Sequence, residues 1–107
     1  MNFQVVVKAI IIDEKDNLLI VKRSENDKIN PERITVPGGF INFGEKPKDA
    51  VKREVKEEIN LDVEITKVTS VWTSIIKEED LQIIGINYLC KPLTKNILLN
   101  DELSEYL

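Results

Sequence analysis

The sequence predicts an α/β fold in which a mixed sheet is layered on one central helix. Three observations point to it. Residues 3–12, 18–22 and 81–91 are rich in Val, Ile and Leu and are bounded by polar breaks, the pattern of strands ended by turns. Residues 47–59 instead bring an aliphatic side chain round every fourth position, at Val51, Val55 and Ile59, which gathers them on one buried helix face. Strands lying before and after a lone helix bury their apolar sides by stacking sheet against helix.

Residues 3–12 form the first strand, and the polar run 13–17 turns the chain into the second at 18–22. Residues 24–33 are polar and contain Pro31, so they read as a loop. A short strand at 34–36 ends at Pro37-Gly38-Gly39, where the two glycines suggest a sharp turn. Pro47 suits the first turn of the helix, where its missing N–H costs nothing. Asn60 follows Ile59 and can take the left-handed conformation that stops a helix. Residues 62–77 hold β-branched side chains in rough alternation and read as one long strand or a bent pair, closed by a polar turn at 77–80. The chain stops at 100–107, where one more strand and a covering helix are expected. Residues 1–107 therefore read as a single domain, C-terminally truncated or naturally short.

With 42% apolar and 32% charged residues the composition is that of a globular domain, and 107 residues suffice for one core but not two. A net charge of −4 argues against a grip on polymeric nucleic acid, which needs clustered Lys and Arg. A small phosphate ester stays open, because a divalent metal can supply the positive charge. The absence of histidine removes histidine triads, His-liganded zinc and imidazole acid–base chemistry. Cys90 is the only cysteine and lies in an apolar run, so it reads as a buried structural thiol. No run approaches the ~18 apolar residues of a membrane span. Lys8 interrupts the apolar N-terminal stretch that a secretory signal would need. A cytoplasmic protein is the expectation.

The chemistry is concentrated between Gly39 and Leu61. Glu54, Glu57 and Glu58 lie three and four residues apart, so on a helix they share roughly 100° of arc. Carboxylates crowded this way repel one another unless a cation joins them, and hard oxygen donors favour magnesium or manganese. The competing reading is a solvated helix face held by Lys52, Arg53 and Lys56. It leaves unexplained the fixed spacing of Glu45 and the Pro-Gly-Gly upstream.

Taken together, Gly39, Glu45, Arg53, Glu54, Val55, Glu57, Glu58 and Leu61 fill the pattern G-x5-E-x7-R-E-U-x-E-E-x-(G)-U, where U is aliphatic. This resembles the Nudix box. Its six fixed identities arise by chance with a probability on the order of 10⁻⁷ per starting position. The resemblance covers most of the chain and implies a Nudix-like α/β/α sandwich with a mixed sheet. The activity it implies is magnesium-dependent hydrolysis, with manganese as the second option, of a pyrophosphate bond in a nucleoside diphosphate derivative or triphosphate by metal-activated water. Its partner would be a small nucleotide, with no polymeric nucleic acid and no membrane, and the protein a monomer or homodimer. Two positions depart from the pattern. Asn60 stands where the family usually has glycine, and Lys46 where a Ser or Thr cap is common, at a cost of about 1 kcal/mol.

The resemblance assigns roles residue by residue. Glu57 and Glu58, with the Gly38 carbonyl, are the expected primary metal ligands. Glu54 is a further ligand or the group that orients and deprotonates the attacking water. Arg53 and Glu45 are expected to pair and lock loop to helix, and the angular position of Arg53 predicts that it points away from the glutamate stripe. Glu102 is a candidate late carboxylate for the metal, weighed against a solvated acidic face. Gly39, Phe40 and Arg23 are candidate substrate contacts, Arg23 against the reading of an ordinary surface arginine. Phe40, Phe43, Trp72 and Tyr88 could stack a base, with core packing the favoured role for most of them. The alternative class is a catalytically silent Nudix-fold nucleotide-binding or regulatory module, which lost box carboxylates would favour. None is lost. An isoprenoid diphosphate isomerase on this fold needs histidine, which is absent. No subgroup signature is evident, and Ile75 and Ile76 stand where ADP-ribose enzymes tend to show proline. A nucleoside triphosphate or nucleotide sugar is favoured.

Overall fold

Alternate residues of the first strand, β1 (Asn2–Ile11), turn inward, and Val7, Ala9 and Ile11 are all but fully buried. A computed structural model describes residues 1–23, 34–98 and 103–106. In it β1 is followed by β2 (Val21–Arg23), β3 (Ile34–Thr35), β4 (Gly38–Phe40), α1 (Pro47–Ile59), β5 (Val63–Ile76), β6 (Leu81–Pro92) and β7 (Leu103–Tyr106). The turn after β1 is shaped by Asp13, whose Oδ1 accepts the N–H groups of Lys15 at 2.8 Å and Asn17 at 2.9 Å. Leu18 makes only an isolated bridge to Ile12, so β2 begins three residues later than its apolar run suggests.

The strands form two sheets rather than one. The mixed sheet has the order β4-β1-β6-β5, with β1 parallel to β6 and the other pairs antiparallel. The second sheet, β3-β2-β7, is antiparallel. Lys8 on β1 reaches it by donating to Thr35 Oγ1 on β3 at 3.2 Å. The last strand, expected to be missing, is present as β7. Its pairing with β2 joins distant regions of the chain and leaves no local signature. Among the described residues α1 is the only α-helix, so the second helical layer of a sandwich is not among them.

The glycines need a correction, and the long strand resolves between its two readings. Pro37-Gly38-Gly39 is not a turn: Gly38 and Gly39 lie in β4, paired with Lys8 and Val7 of β1. Residues 62–77 resolve as one strand, with register shifts at Ile65/Lys67 and Val68/Ser70. Such bulges bend a long strand without ending it. A short 3₁₀ turn (Lys77–Glu79) and Asp80 in the left-handed region return the chain into β6.

The core lies between α1 and one face of the mixed sheet. Ala50, Val51, Val55 and Ile59 of α1 pack with Val7, Ala9, Ile11, Tyr88 and Cys90. The in-register pairs Ala9↔Tyr88 and Ile11↔Cys90 explain why these strand residues share a face. Cys90 is fully buried, and desolvation pushes its thiol up to about 11, as fits a structural thiol. The helix ends at Asn60, φ 59°, as its type predicts. The Asn60 side chain also donates to Asn96 O at 3.1 Å, and Leu98 N donates to Ile59 O, so residues 93–98 help to satisfy the helix end.

Candidate active site

Helix α1 begins without a side-chain cap: Lys46 is extended (φ −76°, ψ 143°) and makes no capping bond. The loop before it is held from another direction. Glu45 Oε1 accepts the Asn42 N–H at 3.1 Å, and Gly44 sits at φ 83°, where glycine is favoured. Both Glu45 oxygens then receive Arg53, at 2.7 Å from Nε and 3.0 Å from Nη2. This bidentate pair ties loop to helix. The hydrogen bonds from Arg53, and then that from the Asn42 amide, hold the Glu45 carboxyl below its ordinary range. The same bonds hold the Arg53 guanidinium firmly protonated.

Arg53 does not point away from the glutamate stripe. Its Nη1 donates to Glu54 Oε1 at 2.9 Å and to Glu57 Oε2 at 3.2 Å, while Nη2 also reaches the Phe40 carbonyl at 3.1 Å. Two facts outweigh its angular position: residues four apart are helix neighbours, and a guanidinium offers five donors. One guanidinium thus links Glu45, Glu54 and Glu57.

The two glycines of β4 serve close approach. A Cβ on Gly39 would stand 2.5 Å from the Glu54 carboxylate, so the bare backbone is the surface on which that carboxylate rests. A Cβ on Gly38 would strike the Val7 carbonyl of the neighbouring strand. Gly38 pairs with Lys8 between the hydrogen-bonded positions marked by Ala9 N donating to Pro37 O and Ile41 N to Val5 O. Its N–H therefore faces away from β1, and it donates to Glu58 Oε1 at 2.8 Å. Glu58 is 1% exposed, whereas the Glu57 side chain is 57% exposed.

The three glutamates thus divide. Glu58 is drawn into the protein by the Gly38 amide, Glu54 lies on Gly39, and Glu57 reaches solvent. Among the described residues no three His, Cys, Asp or Glu side chains surround one point. The donor set is nevertheless all oxygen, suited in kind to a hard divalent cation, and the bare Gly39 backbone leaves the space in which Glu54 lies beside it.

The aromatic candidates separate cleanly. Tyr88 is core at 4% exposure, and the Trp72 ring lies against Gly85 with Nε1 donating to Asn87 Oδ1 at 3.2 Å. Phe40 and Phe43, expected mostly as core, are exposed. With Phe3, Val5, Ile41 and Asn42 they line an open groove of about 530 Å³ that ends at Glu45. All three phenylalanines of the chain border it. Sequence reasoning missed Phe3, because the groove joins the start of β1 to a loop far along the chain. Arg23 closes β2, but its side chain lies outside the described residues, as does Glu102.

Comparison with known proteins adds an independent view. A family model described as NUDIX domain matches residues 2–106. An ADP-ribose pyrophosphatase from Methanocaldococcus jannaschii is 33% identical over 103 residues, covering 91% of this chain and 59% of that protein. A nucleoside triphosphatase NudI from Salmonella agona is 24% identical over 106 residues, covering 90% and 74%. The crystal structure of a MutT protein from Methanosarcina mazei Go1 superimposes with a TM-score of 0.87 at 28% identity, covering 98% of this chain and 75% of that one. The chain spans between half and three-fifths of the length of two curated relatives, the M. jannaschii protein and a MutT-like protein from Streptomyces ambofaciens.

Proposed function

The chain belongs to the Nudix hydrolase family, and from that membership we propose that it hydrolyses a pyrophosphate bond in a small nucleoside diphosphate derivative or nucleoside triphosphate. The observation that carries the reading is the Glu54 carboxylate resting on the Gly39 backbone while Arg53 holds both Glu54 and Glu57. A role confined to helix solvation would not need a bare backbone under one particular carboxylate.

Glu57, Glu58, Glu54 and the Gly38 carbonyl would hold the metal, magnesium or manganese, with Glu102 as a further candidate. When bound, the metal neutralises charge on the pyrophosphate oxygens and lowers the pKa of water. As the alternative to ligation, Glu54 orients the attacking water and takes its proton, and Arg53 keeps it aimed while paired to Glu45. Water adds to one phosphorus and the bridging P–O bond breaks. A nucleoside monophosphate and X-phosphate leave, or pyrophosphate when the substrate is a triphosphate. Gly39 is a candidate substrate contact beside Glu54, Phe40 and Phe43 offer the base or moiety X an aromatic wall, and Arg23 is the candidate phosphate contact. Relatives named for ADP-ribose and for nucleoside triphosphates support the general substrate class. We place the protein in the cytoplasm. Among the described residues no helix is long and apolar enough to cross a membrane.

The test is a panel of nucleoside triphosphates, nucleotide sugars and ADP-ribose with magnesium or manganese, read as phosphate after coupled phosphatase treatment. Turnover is expected for at least one member, with loss of at least about 10²-fold in Glu57→Gln at unchanged melting temperature. Nucleotide binding without release under either metal would favour the silent regulatory module.

A further inference from the structure

Strand β5 is an outer strand of the mixed sheet, paired to β6 on one side. Exposed strand edges are usually blunted by charge, proline or bulges. Both bulges of β5 lie before Ser70, and residues 70–76 carry no charge and no proline. Four polar side chains around this stretch bond inward onto β6. Thr69 and Thr73 donate to the Asn87 and Ile83 carbonyls, Ser70 Oγ accepts from Asn87 Nδ2, and Trp72 reaches Asn87. Among the described residues the outer rim is left to backbone groups, flanked on one face by Val71 and Ile75, 65% and 63% exposed.

The regular segment 70–76 is centred on Thr73, between the last bulge and the 3₁₀ turn. We propose that it pairs antiparallel with the same segment of a second copy of this chain, about a two-fold axis through Thr73. Side-chain chemistry and charge both select that occupant. Val71 of one copy falls opposite Ile75 of the other, twice, and Thr73 falls opposite Thr73, all of them favourable cross-strand pairs. Lys67 lies before the segment and the mostly acidic turn Lys77–Glu79 follows it, so an antiparallel copy brings a basic end beside an acidic one at both ends of the pairing. An isologous contact of this kind closes on itself as a dimer and joins two four-stranded sheets into one. A strand pair of seven residues is at the small end of specific interfaces, so the dimer is weak and concentration-dependent.

Sedimentation of the full chain across a concentration series tests this, with variants Thr73→Lys and Thr73→Glu, each checked by circular dichroism for retained fold. The wild type should rise from one chain mass toward two, and each variant alone should stay at one because like charges meet on the axis. The equimolar mixture of the two variants should return to two. A wild type that stays monomeric, variants that dimerise as well as wild type, or a mixture that remains monomeric would each overturn the proposal. Hydrogen exchange gives a variant-free check: outward amides of residues 70–76 should gain protection with rising wild-type concentration, and constant protection would count against the pairing.

Discussion

A methyl group at Gly39 and one at Gly38 would meet different obstacles, and the difference separates chemistry from folding. At Gly39 the obstacle is the end of the flexible Glu54 side chain, 2.5 Å away; at Gly38 it is the Val7 backbone of the neighbouring strand. Gly39→Ala should therefore displace the carboxylate and lower kcat/KM by about 10²-fold, with melting within a few degrees of wild type. Gly38→Ala must push β4 away from β1 and should destabilise by about 1–3 kcal/mol, read in urea melts. The reverse order of effects would refute the assignment of these two positions. Sequence revealed that glycine was needed at both and misjudged why. Close approach depends on what lies across the gap, and that neighbour comes from β1 or from α1.

Helix α1 was the most legible element. Its start at Pro47, its buried valines and its stop at Asn60 are all local consequences of residue type. Its uncapped start is also a local property, so it gives a prediction at this scale. Lys46 already has the extended backbone of a cap, and Lys46→Ser supplies the hydroxyl that accepts a first-turn N–H. That substitution should add about 1 kcal/mol and raise the melting temperature by roughly 4–8 °C. An unchanged or lowered melting temperature would show the first turn to be satisfied in another way. The strands were less legible where pairing is remote: β4 hid in a glycine pair, and β7 in a polar tail that pairs with β2.

At the scale of the whole molecule, the Glu45–Arg53 pair links a loop to the helix and should register in global stability. The folded carboxyl of Glu45 lies below its ordinary 4.5, chiefly through the Arg53 hydrogen bonds. Its contribution is complete above the unfolded value and disappears as pH falls through the lowered folded value, where the folded pair finally takes up its proton. Thermal melts from neutral to acid pH should show Glu45→Gln less stable than wild type at neutral pH, with the two curves converging in acid. Parallel curves across the range would remove Glu45 from the acid response.

By itself the sequence determined the α/β class, the helix with both its ends, and the box spacing that identifies the family. The helix and the box are each written within one short stretch of chain, and the class follows from strand and helix patterns that are each local. Tertiary structure alone decided the division of labour among the glutamates. Burial against β4 gives Glu58 to the Gly38 amide, and the bare Gly39 backbone receives Glu54, whereas the Arg53–Glu57 contact is local to the helix. The physical reason is that spacing along a helix fixes which side chains are neighbours, while their partners and solvation are supplied by strands that arrive from elsewhere in the chain.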